Sequence, residues 1–380
     1  MTSKMTLPSA SALLMTGVGC LMVLSLIMVA SASIPFALSH GMSELHFFYR
    51  QLTYMLIGLV AATIVYKGFS LRLYFTLHAQ IIMLLITGIL LVITLFSSPI
   101  NGARRWIEFG SFNFQTAELA KLVMILYVSN FVVRHSHDVR AGWDGFFRIF
   151  SIVAIMTVLI LLQPDFGSLV IIIGSILTIF WIAGAPANQF LTLGASALGL
   201  SAVAIWDKEY RLTRVMSFWN PFDDMQNTDY QLARSLIAFG RGEFSGVGYG
   251  ESVQKLAHLP EAHTDFLLAI TGEELGFVGV IAILLLEALV IFSVMRISYM
   301  ALKNHHLRLS YTAFGFGVIF IGQTLINAGM NLGVMPTKGL TMPFFSYGGS
   351  SMVISLIMIG LLLRIHKDSP TIALEKRRLY

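Results

Sequence analysis

LPEAHTDFLLAITGEELGFVGVIAILLLEALVIFSVMRIS, residues 259–298, joins a polar approach carrying Glu261, His263 and Asp265 to an apolar run that begins at Leu267. A bilayer crossing needs about 20 predominantly apolar residues, so the run from 267 to 298 is a membrane helix with length to spare. It either tilts or begins outside the hydrocarbon. An ionised Asp costs roughly 2.5 to 3.5 kcal/mol to insert into the hydrocarbon, so a carboxylate two residues before such a run is marked for function.

The whole chain has the same character. Its 380 residues are 56% hydrophobic and 12% charged, against about 25% charged in ordinary soluble domains. The mean hydropathy is +0.77. Ten apolar runs can be placed, near 11–31, 49–67, 77–97, 115–134, 146–163, 167–184, 188–206, 267–298, 309–331 and 344–364. They are apolar on all sides, whereas barrel strands alternate over about 10 residues. The expected fold is an all-α polytopic membrane protein, a single domain over 1–380 with ten transmembrane helices.

Orientation follows from Lys and Arg in short loops. Lys67 and Arg72, then Arg134, Arg140 and Arg148, then Arg296, Lys303 and Arg308, fall in alternate loops, and the C-terminal tail adds five more cations from Arg364 to Arg378. Those loops and both termini are expected to be cytoplasmic. The large segment 207–266 then becomes an extracytoplasmic loop between helices seven and eight. Arg104, Arg105 and Lys338 lie outside, against the charge trend. The net charge of +5 is spread over cytoplasmic loops and tail, which fits topology and anionic membrane lipids rather than nucleic acid. Cys20 is the sole cysteine, which excludes an intrachain disulfide and a cysteine metal site. The first run is read as a retained span, since it is long and shows no small-residue cleavage site.

Within the large loop, Leu232, Leu236 and Phe239 recur at helical spacing from Asp229 to Phe239 and predict a short amphipathic helix. The glycine-rich run 240–250 follows no strand and lacks Gly-Lys-Ser/Thr, so it reads as a loop permitting close backbone approach and not as a nucleotide cradle.

Polar residues at span ends form five clusters. Arg104 and Arg105 in NGARRWI are either an interfacial anchor or a clamp for phosphate oxygens. Glu118 and Lys121 share a helix face at i, i+3 and are either a structural ion pair or a substrate contact. Asp165 in QPDFG suits a cap on span six. Glu261, His263 and Asp265 lead span eight with Glu273 and Glu274 beyond, and one His among acids is too little for zinc. The segment 336–351, PTKGLTMPFFSYGGSS, holds Lys338 and Ser346 in irregular backbone, tolerated at membrane depth where it lines a cavity or is buried. An external acid among cations suits an anionic, lipid-linked substrate.

LPEAHTDF followed by GEELG, together with PTKGLTMPFFSYGGSS, NGARRWI and QPDFG, resembles the shape, elongation, division and sporulation family of bacterial membrane glycosyltransferases, its division branch above its elongation branch. The likeness runs along almost the whole chain. Two departures stand out: Gln115-Thr116-Ala117-Glu118 replaces the usual Gln-Pro-Ser-Glu, and Ser168 stands where Thr is common. The resemblance implies polymerisation of lipid II into glycan strands at the outer face of the bacterial cytoplasmic membrane, at the division septum. It implies a cognate class B penicillin-binding protein and other division proteins as partners. Asp265 would be the general base, with Arg104, Arg105, Lys338 or a divalent cation (Mg or Mn) meeting the leaving pyrophosphate. Glu118, Lys121, Asp165, Glu261, His263 and Ser346 would line the substrate site. A lipid II flippase and a non-catalytic scaffold for the transpeptidase are the competing classes.

Overall fold

A computed structural model describes residues 8–99, 103–110, 112–192, 194–195, 222, 230–256, 258–336 and 339–378. The chain runs through α1 (Ala10–Ser39), α2 (His46–Gly68), α3 (Leu71–Tyr74) and α4 (Leu77–Leu95), then a hairpin of β1 (Trp106–Phe109) and β2 (Phe112–Gln115). It continues through α5 (Thr116–Arg134), α6 (Ser136–Ala141), α7 (Trp143–Leu162) and α8 (Phe166–Ile182). The described C-terminal part contains α9 (Tyr230–Gly242), α10 (Leu267–Lys303), α11 (Leu307–Asn331) and α12 (Gly349–Arg378).

Eight of these helices are long and apolar enough to cross a membrane, and the 17-residue α8 is a shorter apolar helix. They coincide with nine of the ten expected runs. Most of the remaining run, 188–206, lies outside the described residues, as do 207–221 and 223–229. The all-helical expectation needs one amendment. The loop before α5 folds back as an antiparallel hairpin pairing Trp106 with Gln115 and Phe109 with Phe112, turned at Gly110 with φ +60°. Phe112-Asn113-Phe114-Gln115 alternates aromatic and polar residues as a strand does, while β1 does not, and four residues are too few to read as a strand beside membrane helices.

Helix packing explains the composition. Along α2 and α12, Gly58 sits against Leu356, Gly349 against the Tyr54 ring and Gly360 against the Ala62 backbone. Small residues let helix backbones approach where no hydrophobic drive exists between apolar helices in lipid. Helix α5 is the most enclosed span, with 78% of its membrane window buried, while α2 has 22%. An inner helix can carry Glu118 and Lys121, whereas α2 presents Leu56, Leu59 and Val60 outward.

The excess length of α10 is resolved by a break. Gly276 has φ +66° and ψ −164°, so the helix ends one segment and starts another there. The glycine-rich run packs into this break. A Cβ on Gly242 would lie 1.8 Å from the Gly272 carbonyl oxygen, and one on Gly246 would lie 2.1 Å from that of Glu274. Val247 and Gly248 N–H groups donate to the Glu273 and Glu274 carbonyls at 3.0 and 3.1 Å. The side chains complete the attachment. Glu273 accepts from the Ser252 hydroxyl and the Val253 and Gln254 N–H groups and meets Arg241, while Glu274 accepts from Ser31 and from Lys255 Nζ at 2.7 Å. Each carboxylate is thus satisfied, as burial of charge requires. Close backbone approach, read from the glycines, is what the loop does. The helix expected over 229–239 spans Tyr230–Gly242, and it buries Ala233, Ser235 and Ala238 besides Leu232.

Gly276→Ala should therefore cost roughly 1 to 3 kcal/mol from backbone conformation alone, and more from overlap with Gly246 N, which its Cβ would approach to 2.3 Å. Gly174→Ala, with open space around the new methyl, should leave the thermal unfolding midpoint of the detergent-purified protein near that of wild type, while Gly276→Ala lowers it.

Candidate functional site

Asp265 closes a turn that starts at Glu261 and precedes α10. The Phe266 N–H donates to the Glu261 carbonyl at 3.2 Å, and the Thr264 hydroxyl donates to Glu261 Oε2 at 2.7 Å. Two buried asparagines one turn apart on α11 then grip the turn from below. Asn327 Nδ2 and Asn331 Nδ2 donate to the Asp265 carbonyl at 3.0 and 2.9 Å. Asn327 also donates to the Leu340 carbonyl at 2.6 Å, and Asn331 Oδ1 accepts from the Ala269 N–H at 3.2 Å. Residues at i, i+4 share a helix face, so α11 presents both amides to the same place. The result is that the segment holding Asp265 and the segment after Lys338 are tied to one helix.

The Asp265 side chain shares its surroundings with Arg105. A Cβ on Gly339 would lie 3.2 Å from Asp265 Oδ2 and 4.0 Å from Arg105 Nη1. Arg105 donates to the Pro164 carbonyl, and its Nε is buried without a hydrogen-bond partner. The neighbouring Asp165 caps α8, accepting from the Ser168 N–H and hydroxyl and from Gln115 Nε2 at 3.2, 2.9 and 2.9 Å. Burial pushes the Asp265 carboxyl up to about 7, helped by Glu261 and Asp165 and opposed by Arg105. Desolvation disfavours the ionised form, and the two nearby carboxylates add to it. A carboxyl poised near 7 beside a guanidinium can hold or release a proton at neutral pH.

His263 is turned the other way. Its ring packs among Phe36, Phe47 and Tyr347, with centroids 5.2, 4.5 and 5.5 Å away, and burial lowers its pKa to about 4. A neutral imidazole in an aromatic nest is a packing element. The Tyr347 N–H donates to the His263 carbonyl at 3.1 Å, and burial raises the Tyr347 phenol to about 12. His263 therefore joins the Asp265 turn to the head of α12.

The other expected residues divide between the site and its frame. Arg104 points away and donates to the Leu95 carbonyl at the end of α4 at 2.9 Å. Glu118 and Lys121 form a buried pair at 2.7 Å, one turn past Gln115, whose amide reaches Asp165. Ser346 accepts from the Met342 N–H at 3.1 Å, closing the irregular turn, and its carbonyl faces Gln51 Nε2. Glu261 is exposed at the rim. Lys338 lies outside the described residues, next to Gly339. Among the described residues no three His, Cys, Asp or Glu side chains converge as a metal cage.

The structure adds polar residues that the sequence does not mark strongly. Asn327 and Asn331 are neutral amides inside an apolar span, with only their i, i+4 spacing as a signal. Glu273 and Glu274 hold the glycine-rich loop. Glu287, inside a long apolar run, is buried within α10 and accepts from the Thr324 hydroxyl at 3.2 Å.

These features define a multi-pass helical membrane protein with an acid–guanidinium site where loops converge at one end of the bundle. Residues 11–370 match the FtsW/RodA/SpoVE family of cell cycle proteins, and the chain belongs to that family. It is 42% identical to a protein of Acinetobacter baylyi named "Probable peptidoglycan glycosyltransferase FtsW", over 93% of this chain and 88% of that one. An identically named protein of Escherichia coli is 41% identical over 93% of this chain and 84% of that one. Among solved structures, a chain from a peptidoglycan synthase complex that coordinates polymerization and crosslinking superposes with a TM-score of 0.73 at 28% identity, covering 94% and 97% of the two chains. The rod shape determining protein RodA of Thermus thermophilus superposes at 0.65 with 26% identity, covering 93% and 96%.

Asn331→Ala leaves the Asp265 carbonyl with one donor fewer, and the Ala269 N–H keeps only the Phe266 carbonyl as acceptor. The expected loss is about 1 to 3 kcal/mol of stability for buried groups that lose a hydrogen-bond partner, read as a lowered unfolding midpoint. Asn327→Ala, which frees the Leu340 carbonyl as well, should be at least as severe.

Proposed function

We propose that this chain is a peptidoglycan glycosyltransferase that polymerises lipid II at the outer face of the bacterial cytoplasmic membrane during septal wall synthesis, with Asp265 as general base. The observation that carries the assignment of the base is the position of Asp265 Oδ2 beside Arg105 and Gly339, with the carboxyl raised to about 7. The relatives named FtsW support the reaction class. The Lys and Arg distribution supports ten spans with both termini cytoplasmic and the 207–266 segment outside. Likeness to a chain of a complex that couples polymerization with crosslinking supports a class B penicillin-binding protein as partner.

In this reading the 4-hydroxyl of an acceptor GlcNAc attacks the anomeric carbon of a MurNAc in lipid II. The new C–O bond forms as the bond to the lipid pyrophosphate breaks. The hydroxyl proton passes to the Asp265 carboxylate, and the pyrophosphate departs with the bonding electrons. A sugar hydroxyl is a weak nucleophile, and a positioned base contributes about 10² to 10⁴ in rate. The pyrophosphate leaves as a stabilised anion, so no general acid is required. Arg105 is the described cation placed to meet its charge, since guanidinium forks match phosphate oxygens. Lys338, beside Gly339 in sequence, is proposed to assist. A single displacement on an α-linked donor inverts the anomeric centre and gives a β-linked strand. Glu118, Lys121 and Asp165 are proposed to hold the site's floor. A Mg or Mn ion would need oxygens from the substrate, because the described side chains alone do not form a cage.

Asp265→Asn should retain folding and partner binding and lose polymer from purified lipid II by about 10² to 10⁴ in rate. Polymer at near wild-type yield would remove Asp265 as the base. Scoring transbilayer movement of labelled lipid II in the same vesicles separates this reading from a flippase.

The pH dependence carries a sign. The base must be ionised, so turnover should rise as pH passes about 7 and fall below it. Arg105→Gln removes the cation that opposes the upward shift, so the acid limb of the rate profile should move to higher pH. Stability runs the other way. Between its ordinary value of 3.8 and about 7 the folded chain holds a proton that the unfolded chain has released, so ionising Asp265 costs stability as pH rises through that window. Asp265→Asn should thus raise the unfolding midpoint above neutrality and leave it unchanged in acid, as thermal scans across pH would record.

A further inference from the structure

The break in α10 and the glycine-rich loop form an apolar ledge that the proposed reaction does not use. A continuous helix would pair the Phe277 and Val278 N–H groups with the Glu273 and Glu274 carbonyls, one turn back. At Gly276 these groups turn to the loop instead. The Phe277 and Val278 N–H groups donate to the Glu243 and Phe244 carbonyls at 3.0 and 3.3 Å, and the Val247 and Gly248 N–H groups donate to the Glu273 and Glu274 carbonyls. Both sides of the break are thus paired within the chain. Outward, the Phe244 and Phe277 rings stack with centroids 6.1 Å apart and are 70% and 56% exposed. Val247, Tyr249 and Val278 are exposed beside them. Two helices fix the height of the ledge. Arg296 holds the Pro8 carbonyl at 2.7 Å at the basic end of the bundle, and Gly276 lies about 20 residues, or roughly 30 Å, from it along α10. Tyr249 donates its hydroxyl to the Ile27 carbonyl at 2.9 Å. Ile27 lies about 19 residues, or roughly 28 Å, beyond Pro8. The hydrocarbon of a bilayer is about 30 Å thick, so both helices put the ledge at its far boundary.

We propose that this ledge beds into the acyl-chain boundary of the leaflet on the Asp265 side, making loop 243–249 a membrane-interface anchor. Irregular backbone is tolerated beside hydrocarbon only when its polar groups are paired inside the protein, and the bonds across the break do this. Aromatic side chains favour that boundary. The ledge is also continuous with the faces that α1 and α10 turn to lipid, where Val23 and Leu285 are 58% and 65% exposed. Val278 and Leu285 share one face of α10, two turns apart. Arg241, Glu243 and Glu251 in the same loop are exposed, so the element lies at the headgroup border and not deep in the hydrocarbon, where such charges are costly. With the backbone of the break already paired, the surface calls for apolar contact alone, and acyl chains supply it. So held, the first segment of α10 keeps the Asp265 turn at a set height over the bilayer.

The test places a nitroxide on single cysteines of the full chain, in a Cys20→Ser background, reconstituted in liposomes of phosphatidylethanolamine and phosphatidylglycerol. Electron paramagnetic resonance then compares collision with oxygen, which concentrates among acyl chains, and with a nickel chelate, which stays in water. Labels at Phe244→Cys and Val247→Cys probe the loop. Leu85→Cys on the exposed face of α4 marks lipid, and Glu44→Cys in the α1–α2 connection marks water. The oxygen-to-nickel collision ratio at both loop sites should exceed that at Glu44→Cys several-fold and lie at or below that at Leu85→Cys. Either loop label suffices should the other variant fail to fold. A ratio equal to that at Glu44→Cys would overturn the proposal by placing the loop in water. Slow collision with both reagents would overturn the lipid assignment, because a protein surface, such as a second copy of the chain, then covers the ledge.

Discussion

The grip of Asn327 and Asn331 on the backbone is the constraint from which the polar end of this molecule is built. Two amides one turn apart accept the geometry of a single helix and impose it on two loops. Neither loop has a regular ladder of its own there, so its carbonyls need outside donors, and an unpaired carbonyl in such surroundings costs stability. The amides supply the donors without charge. They fix the Asp265 carbonyl and leave its carboxylate free to face Arg105 and Gly339.

Around that grip, charge is sorted by whether it is satisfied. Glu273 and Glu274 are fully buried and fully engaged, and they bind the glycine-rich loop to the break in α10. Asp165 spends its oxygens on a helix cap and a neighbouring amide. Glu118 is neutralised by Lys121 inside the most enclosed span. Asp265 differs from all of these: no hydrogen bond to its carboxylate is seen in the described residues, and its proton affinity is set by desolvation, two acids and one guanidinium. An acid held this way can exchange a proton during a reaction, whereas one saturated with donors cannot do so cheaply.

Much of this was legible beforehand, and the failures share a cause. Apolar runs of bilayer length located the spans because no other environment supports so many consecutive apolar residues. Asp265 stood out because of its cost near hydrocarbon. The hairpin at 106–115 was missed, since a short strand pair leaves a weak trace beside long membrane helices. Arg104 and Arg105 were inseparable in sequence, yet one turns to the end of α4 and the other to the site. The sequence gives no metal role to a single His263 among acids, and the aromatic rings around its imidazole fit a packing role.

Composition and residue order suffice to show that the chain crosses the membrane many times, that a polar segment leads into a long span at Asp265, and that its motifs belong to one family. These are properties of composition and order, and hydrocarbon thickness reads them directly. Which polar residues meet depends instead on how the helices pack. Asp265, Arg105 and Gly339 come from three separate segments, and what joins them is the distance between helices and the direction of two amide side chains on α11. Hydrophobic periodicity places a residue on a helix face, but the identity of the group opposite depends on the packing of another helix far along the chain.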